Sequence, residues 1–171
     1  MSVAVQTRMT DEEFFALPEA PGKQELLEGE LIALPPASDD HNYIVHNFYD
    51  TLSPLFPRRR VRMESGFRLE RGWLQPDVSV LHPDQQRRKW YEGAPMIAIE
   101  IASRGNTDFE IDAKIQAYLA EGAAEVWIVR PQTQSMTVYK PDGSGFRFTG
   151  VYQSPLLPSA IDIREILTTH P

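Results

Sequence analysis

The chain has 171 residues, of which 42% are hydrophobic and 24% charged, a size and composition typical of one globular domain with a full core. The absence of cysteine excludes disulfide bonds and thiolate metal sites, and the net charge of −7 argues against a broad DNA-binding surface held by charge alone. The opening segment MSVAVQTRMT is too short and too polar for a secretory signal, and no apolar run approaches the roughly 18 residues of a membrane span. We therefore expect a soluble, cytoplasmic protein with no membrane association.

The N-terminal part predicts a short helix followed by a β-hairpin. Thr10 and Glu13 have the spacing of a capping box, which begins a helix. Glu28-Gly29 indicates a tight turn between the strands ELL and ELIAL. The pattern favours solvent-facing positions for Glu25 and Glu28 on an edge hairpin.

A longer helix is predicted after the two prolines at 35 and 36, with Ser38 or Asp39 as its N-cap. His41 and His46 are not four residues apart, the spacing that lets two helical histidines share a metal ion, so we expect His41 to be structural or exposed. The apolar face of this helix consists of Ile44, Phe48, Leu52 and Leu55.

Two basic clusters lie in this otherwise acidic chain. Arg58–Arg62 is the best candidate for phosphate contact, although most such runs are solvated surface. Arg87–Tyr91 adds aromatic side chains that could meet nucleic acid, but a mobile loop is the commoner structure for such a segment. Its two aromatic residues, together with the exposed-looking Trp73, slightly favour a role in protein contact.

Strand-like segments then run VRMESGFRLE and QPDVSVLHP. Asp77 stands at the head of the strand DVSVL, where its side chain shares a face with Ser79 and Leu81. An aspartate in this position is often only a turn former.

The stretch 96–118, MIAIEIASRGNTDFEIDAKIQAY, predicts a buried strand followed by a helix. Glu100 lies within the strand, where an unpaired charge would cost several kcal/mol, and alternation places it on the same face as Ala98 and Ala102. Lys114 borders the apolar stripe of the helix and leans back over the strand. The arrangement is typical of a functional site, and a buried Glu100–Lys114 ion pair is the alternative.

The C-terminal part predicts a strand EVWIVRP, a hairpin SMTVYKPDGSGFRFTGVY and a short closing helix IDIREIL. The elements together indicate an α+β fold with N-terminal helices, a mostly antiparallel or mixed sheet and one crossover helix.

Asp77, Glu100 and Lys114 combine two acids and a base on adjacent elements. Two carboxylates that converge at strand ends can hold a hard cation such as Mg²⁺. The cation would polarise a phosphodiester and lower the pKa of its water, while a lysine stabilises charge or orients the nucleophile. The combination points to metal-assisted phosphodiester hydrolysis.

The chain resembles the restriction endonuclease family within the PD-(D/E)XK nuclease superfamily. The resemblance spans residues 9–168, and its matching features are, in order, TDEEFFALPE, QELLEGELIALPP, His41, Pro76-Asp77-Val78, IEIAS, Lys114 with Tyr118, and GAAEVWIVRP. It implies a restriction-endonuclease-like mixed β-sheet flanked by helices, with an N-terminal helix and hairpin extension. The whole of residues 1–171 would form this single domain.

The resemblance also implies a metal site. Asp77 and Glu100 would be ligands of Mg²⁺, for which Mn²⁺ would substitute, and the backbone carbonyl of Ile101 would add a further ligand. Two more residues would complete the catalytic set.

Lys114 would take over from the lysine that the superfamily usually has two places after the second acid, because Ala102 stands there in this chain. Glu25 matches the recurrent early acid of the family and would complete the metal shell or position water. Glu110 replaces the aspartate that the family often has four residues before the helical lysine.

The function implied is a Mg²⁺-dependent endonuclease that hydrolyses DNA phosphodiester bonds. The alternative is a catalytically degenerate nuclease-fold module for binding or assembly. We expect a homodimer, because cutting two strands needs two sites and edge hairpins pair readily. Glu100→Gln or Lys114→Ala would abolish cleavage and leave the fold intact.

Overall fold

The computed structural model describes residues 8–57 and 59–169, so that Arg58 and most of the opening segment lie outside the described residues. The helices are α1 (Asp11–Phe15), α2 (Asp39–Leu52), α3 (Asp108–Ala120) and α4 (Ile163–Ile166). The first seven strands are β1 (Gln24–Leu27), β2 (Glu30–Ala33), β3 (Val61–Met63), β4 (Phe67–Leu69), β5 (Gly72–Leu74), β6 (Val78–Val80) and β7 (Tyr91–Glu92). The remaining strands are β8 (Ile97–Ile101), β9 (Glu125–Arg130), β10 (Ser135–Tyr139), β11 (Gly145–Phe148), β12 (Val151–Tyr152) and β13 (Ile161–Asp162).

Two of the helices begin with a capping box. The predicted box of Thr10 and Glu13 at α1 is confirmed. Thr107 and Glu110 form a second box at α3, with the Thr107 N–H donating to Glu110 at 2.9 Å and the Glu110 N–H donating to Thr107 at 3.1 Å. Glu110, which departs from the family pattern, therefore has a structural role in starting the helix that carries Lys114. No helix within residues 8–57 and 59–169 is long and apolar enough to cross a membrane.

The larger sheet has six strands in the order β11-β10-β9-β8-β6-β3. All neighbours are antiparallel except β8 and β9, which are parallel and are joined by the crossover helix α3. The predicted α+β class with a mixed sheet and one crossover helix is thus confirmed.

The alternation predicted for β8 is confirmed by the two hydrophobic cores. The isoleucines of β8 pack in a core with α2 and the C-terminal segment. Ala98 and Ala102 face the other core, which contains Ile111, Ile115 and Tyr118 of α3. Glu100 therefore projects toward α3, because it alternates with the two alanines.

The second sheet has five strands in the order β2-β1-β5-β4-β7 and packs on the α3 side of the larger sheet. The predicted hairpin β1–β2 turns at Glu28 and Gly29, both with positive φ, as a tight type I′-like turn requires. Because β1 also pairs with β5 through Leu26 and Trp73, it is an interior strand and not part of a free edge hairpin.

The segment VRMESGFRLE is divided between the two sheets. The chain leaves the larger sheet after β3 at Glu64, which has φ 46°, and enters the smaller sheet at β4. The single strand-like segment of the sequence is therefore two strands, since a left-handed backbone position interrupts the extended chain.

The aromatic residues that looked exposed are packed together. Trp73 and Tyr91 are each 9% exposed, and Trp90 stacks on Phe15 with ring centroids 5.5 Å apart and an interplanar angle of 11°. Tyr91 belongs to β7 and forms a bridge with Arg87. The expectation of an exposed aromatic surface for protein contact is wrong for Trp73 and Tyr91, because Phe14 of α1 packs on Trp73 and Phe67 of the smaller sheet packs on Tyr91.

Candidate metal centre

Asp77 lies immediately before β6, and its two oxygens have different partners. Oδ2 accepts a hydrogen bond from the backbone N–H of Ile101 at 2.7 Å. Oδ1 lies 2.7 Å from Nζ of Lys23 and 3.3 Å from Nε2 of His41. Burial alone would raise the pKa of Asp77, but the Lys23 ammonium and His41 outweigh it and hold the pKa below the usual aspartate range.

The backbone of Ile101 lies beside both acids. Its N–H donates to Oδ2 of Asp77, it follows Glu100 in β8, and the residue lines the same cavity as the two carboxylates.

Glu100 is held through one of its oxygens. Oε1 accepts a hydrogen bond from the Tyr118 hydroxyl at 2.8 Å and lies 2.7 Å from Nζ of Lys114. Burial raises the pKa of Glu100; the charges of Lys114 and Lys23 oppose this effect and those of Glu25 and Asp77 add to it, and the pKa remains above the usual glutamate value. Oε2 has no partner within residues 8–57 and 59–169, which leaves it for a ligand.

Lys114 forms a buried bridge between two glutamates. Its Nζ lies 2.8 Å from Oε2 of Glu25 as well as 2.7 Å from Glu100, and its side chain is 3% exposed. Burial alone would lower its pKa, but the charges of Glu100 and Glu25 raise it above the ordinary lysine value. Lys114 is therefore an ammonium that offsets the charges of the two glutamates.

Glu25 is fully buried, and the expectation that it faces solvent is wrong. Its Oε1 accepts a hydrogen bond from the backbone N–H of Gln75 at 2.7 Å, and its Oε2 pairs with Lys114. The reason is the position of β1 between β2 and β5, which turns one face of the hairpin toward α3.

Lys23 and His41 both contact Asp77, and neither contact was predicted from the sequence. Lys23 lies on the same face of the hairpin as Glu25, and its Nζ donates to the backbone carbonyl of Gln75 at 2.9 Å and to Asp77. The imidazole of His41 contacts Asp77, which is compatible with the structural role expected for it. The alternation of Lys23 with Glu25 is the signal that could have identified the lysine.

The residues described above lie at or directly behind one wall of a cavity of about 1040 Å³. Glu25 and Lys114 lie behind this wall, whereas five residues of the site line it: Lys23, His41, Asp77, Glu100 and Ile101.

The oxygens at this wall fit Mg²⁺. Asp77, Glu100 and the Ile101 carbonyl offer hard donors, and Mg²⁺ commonly binds one or two carboxylates while it keeps water or takes substrate phosphate for the rest. Among the described residues, no three or more His, Cys, Asp or Glu side chains form a complete metal cage.

Two arginines of the first basic cluster use their guanidinium groups in contacts within the fold. Arg60 donates to the Leu81 carbonyl at 2.6 and 3.0 Å, and Arg62 donates to the Tyr91 hydroxyl at 2.9 Å. Neither lines the cavity, whose rim instead contains the exposed Arg104.

A mixed sheet with flanking helices and two carboxylates on its central strands is typical of the restriction-endonuclease-like class of proteins. Residues 11–162 match the family model described as "Uma2: Putative restriction endonuclease". The chain belongs to this family, whose description supports nuclease activity in general.

A solved structure has the same fold. It is the crystal structure of "a putative nuclease belonging to DUF820" from Anabaena variabilis ATCC 29413, with a TM-score of 0.81 and 22% sequence identity. The match covers 94% of this chain and 98% of that chain. No match is found among proteins of curated function.

Proposed function

We propose that this chain is a single-domain, cytoplasmic endonuclease that hydrolyses DNA phosphodiester bonds with Mg²⁺, or Mn²⁺ in its place. The observation that carries the proposal is the convergence of the buried carboxylates of Asp77 and Glu100 at the wall of a cavity, with the Lys114 ammonium directly behind Glu100. A structural ion pair alone would not need a second acid at the same wall.

Each residue of the site would have its own role in binding the metal ion or in orienting its ligands. Asp77, Glu100 and the Ile101 carbonyl would hold the ion, which when bound supplies a Lewis acid that polarises the phosphodiester and lowers the pKa of a water. Lys114 keeps a proton on Nζ and fixes the orientation of Glu100. Glu25 fixes Lys114 in turn, and through the Gln75 N–H it also anchors the chain just before Asp77.

The charges that line the cavity support a need for the cation. A phosphodiester is an anion, and a cavity with an excess of carboxylates would repel it without a bound cation. The acidic lining residues are Asp40, Glu64, Asp77 and Glu100, whereas the lysine and arginine residues there are Lys23 and Arg104.

A Mn²⁺ titration followed by EPR tests the metal site without any choice of substrate. We expect binding to the wild type and at least tenfold weaker binding to Glu100→Gln. Glu125→Gln is the matched control, because Glu125 is a buried glutamate on the neighbouring strand β9 that bonds to Trp127 and Tyr152 in the other core. Equal binding in all three proteins would remove Glu100 from the metal site.

A cleavage assay tests the reaction. Supercoiled plasmid and single-stranded DNA are each incubated with the wild type in Mg²⁺, in Mn²⁺ and in EDTA. We expect cleavage that needs the divalent ion and that Asp77→Asn lacks, while Glu125→Gln retains it. Cleavage in EDTA at the same rate would contradict the proposal.

The alternative, a degenerate binding or assembly module, has one observation in its favour. An ammonium, that of Lys23, already pairs with Asp77 in this structure. Part of its original support is lost, because two of the three aromatic residues that looked exposed, Trp73 and Tyr91, are buried. Absence of Mn²⁺ binding to the wild type and also to a variant that lacks the Lys23 ammonium would favour this alternative.

We also propose a homodimer, in line with the need for two sites to cut two strands. The edge strand β11 offers a surface, because it ends the larger sheet and its Phe146 is 59% exposed. Light scattering during gel filtration measures the mass directly, and Phe146→Lys should convert a dimer formed through β11 to a monomer. A wild-type monomer would end this part of the proposal.

A further inference from the structure

We propose that Lys23 is an internal competitor of the divalent cation: its ammonium takes the Asp77 oxygen that the ion would bind, and so lowers the affinity of the site for metal. This inference rests on the metal site of the proposed function. It assigns a regulating role to a residue of the N-terminal hairpin.

Oδ1 is the oxygen of Asp77 over which the two cations would compete. Oδ2 is bound at 2.7 Å by the Ile101 N–H, an interaction that ties Asp77 to β8. Oδ1 faces Nζ of Lys23 at 2.7 Å, with the His41 imidazole at 3.3 Å. A Mg²⁺ ion binds oxygen at about 2.0–2.1 Å, and two cations on one oxygen repel each other, so the ammonium would have to move away from Asp77 when the ion binds.

Lys23 is anchored in this position by the backbone around it. Its ammonium also donates to the Gln75 carbonyl at 2.9 Å, and its own carbonyl accepts from the Leu34 N–H at 2.8 Å. Its side chain is only 14% exposed. These contacts distinguish it from a surface lysine, which exchanges freely between partners.

The two lysines of the site have different positions. Lys114 lies behind the cavity wall between Glu25 and Glu100, where it does not exclude a ligand of the cavity. Lys23 lines the cavity itself, on the side of Asp77. Removal of Lys23 should therefore tighten metal binding, whereas removal of Lys114 should disturb the protein around Glu100.

The test is a Mn²⁺ titration by EPR on the wild type, on Lys23→Met and on Lys140→Met. The last is the matched control, because Lys140 also faces a buried glutamate, Glu125, but at 3.7 Å and in the other core. We expect Lys23→Met to bind Mn²⁺ at least tenfold more tightly than the wild type, and Lys140→Met to match the wild type. Binding by Lys23→Met alone would support the inference equally.

Two results of the Mn²⁺ titration would contradict the proposed competitor role of Lys23, and each has a different consequence for the metal site. Binding by the wild type that is unchanged or weaker in Lys23→Met would remove the competitor role and leave the metal site of the proposed function in place. Absence of Mn²⁺ binding in both proteins would remove the metal site and the inference with it.

Thermal unfolding provides a second test of the competitor role. It can be used even if Lys23→Met does not fold in the absence of metal. The variant leaves Asp77 without its ammonium partner, so its melting temperature should be lower than that of the wild type in EDTA and should rise more than that of the wild type with Mn²⁺. An unfolded variant should regain its near-ultraviolet circular dichroism when Mn²⁺ is added. Failure of Mn²⁺ to restore the fold or to raise the melting temperature further than in the wild type would contradict the inference.

Discussion

Nζ of Lys114 lies 2.7 Å from Oε1 of Glu100, and this buried contact joins α3 to β8 at the cavity wall. Glu25 holds the same ammonium from the opposite sheet at 2.8 Å. The two carboxylates would repel each other without the lysine, so the contact serves both the stability of the protein and the orientation of Glu100.

Lys114→Met should be strongly destabilising. It leaves two buried carboxylates without a cation, and breaking a buried ion pair in this way costs about 3–5 kcal/mol of unfolding free energy. Urea unfolding at pH 7 measures the loss. This burial modifies the expectation that Lys114→Ala leaves the fold intact, since a loss of cleavage would need to be separated from a loss of folded protein.

Lys140→Met is the comparison for this prediction. Lys140 is 34% exposed and lies 3.7 Å from Glu125, a buried glutamate that also accepts hydrogen bonds from Trp127 and Tyr152. A long pair with an exposed lysine contributes about 0–1 kcal/mol. Equal losses of unfolding free energy in Lys114→Met and Lys140→Met would show that the position of Lys114 between two glutamates adds nothing to stability.

Tyr118→Phe should reduce both stability and cleavage. The pKa of Tyr118 is raised well above the ordinary tyrosine value by burial and by the charge of Glu100, so the phenol stays protonated and donates to Glu100 at 2.8 Å. Loss of a hydrogen bond to a charged group lowers the unfolding free energy by about 1.5–3 kcal/mol. Urea unfolding measures this effect, and plasmid cleavage measures the effect of a less well oriented Glu100.

Tyr152→Phe separates the two effects. The Tyr152 hydroxyl donates to Glu125 at 2.9 Å in the other core, so this variant should lose a similar amount of stability and keep its cleavage rate. A similar loss of cleavage in both variants would mean that Tyr118 acts only through stability.

The local parts of the site could be predicted from sequence. The strand period of two and the helical stripe are sufficient to place Glu100 and Lys114 face to face, because one loop joins β8 to α3. Lys23 could not be predicted in the same way, since its contact with Asp77 spans 54 residues and depends on how the hairpin docks on β5. A single lysine before an apolar run looks like a solvated cation until that docking is known.

In the fold, too, local features could be predicted from sequence, whereas features that depend on distant contacts could not. The capping boxes, the hairpins and the crossover helix follow from patterns within a few residues. The burial of Glu25 depends instead on the pairing of Leu26 with Trp73, and the break at Glu64 depends on a single left-handed residue that no periodicity signals.

Asp77 should make the metal-free protein sensitive to acid. Its pKa is held below the usual range, so its contribution to stability is present above the unfolded-state pKa of about 3.9 and is lost as the pH falls toward the folded-state pKa. Thermal unfolding in EDTA at several pH values between 7 and 2.5 measures this loss. The stability gap between the wild type and Asp77→Asn should therefore narrow as the pH falls below about 4, whereas a constant gap would show that the Asp77 charge does not contribute.

Gly22→Ala should destabilise the hairpin that carries Lys23 and Glu25. A Cβ at position 22 would lie 1.9 Å from the Leu34 carbonyl oxygen and 2.9 Å from the Pro35 carbonyl carbon. Both are backbone atoms next to the Leu34–Lys23 hydrogen bond, so the strands must separate to relieve the clash. Overpacking of this kind costs about 1–3 kcal/mol, which urea unfolding can measure.

Gly105→Ala is the matched control, because Gly105 also lines the cavity but has no backbone atom in the way. Its added Cβ would be 3.5 Å from the Pro35 ring, an ordinary van der Waals distance. This variant should be neutral or more stable by up to about 1 kcal/mol, since alanine restricts the unfolded chain. Equal stability of the two variants would mean that the hairpin can shift at Gly22 without loss, and the anchoring of Lys23 beside Asp77 would then be weaker than its backbone contacts indicate.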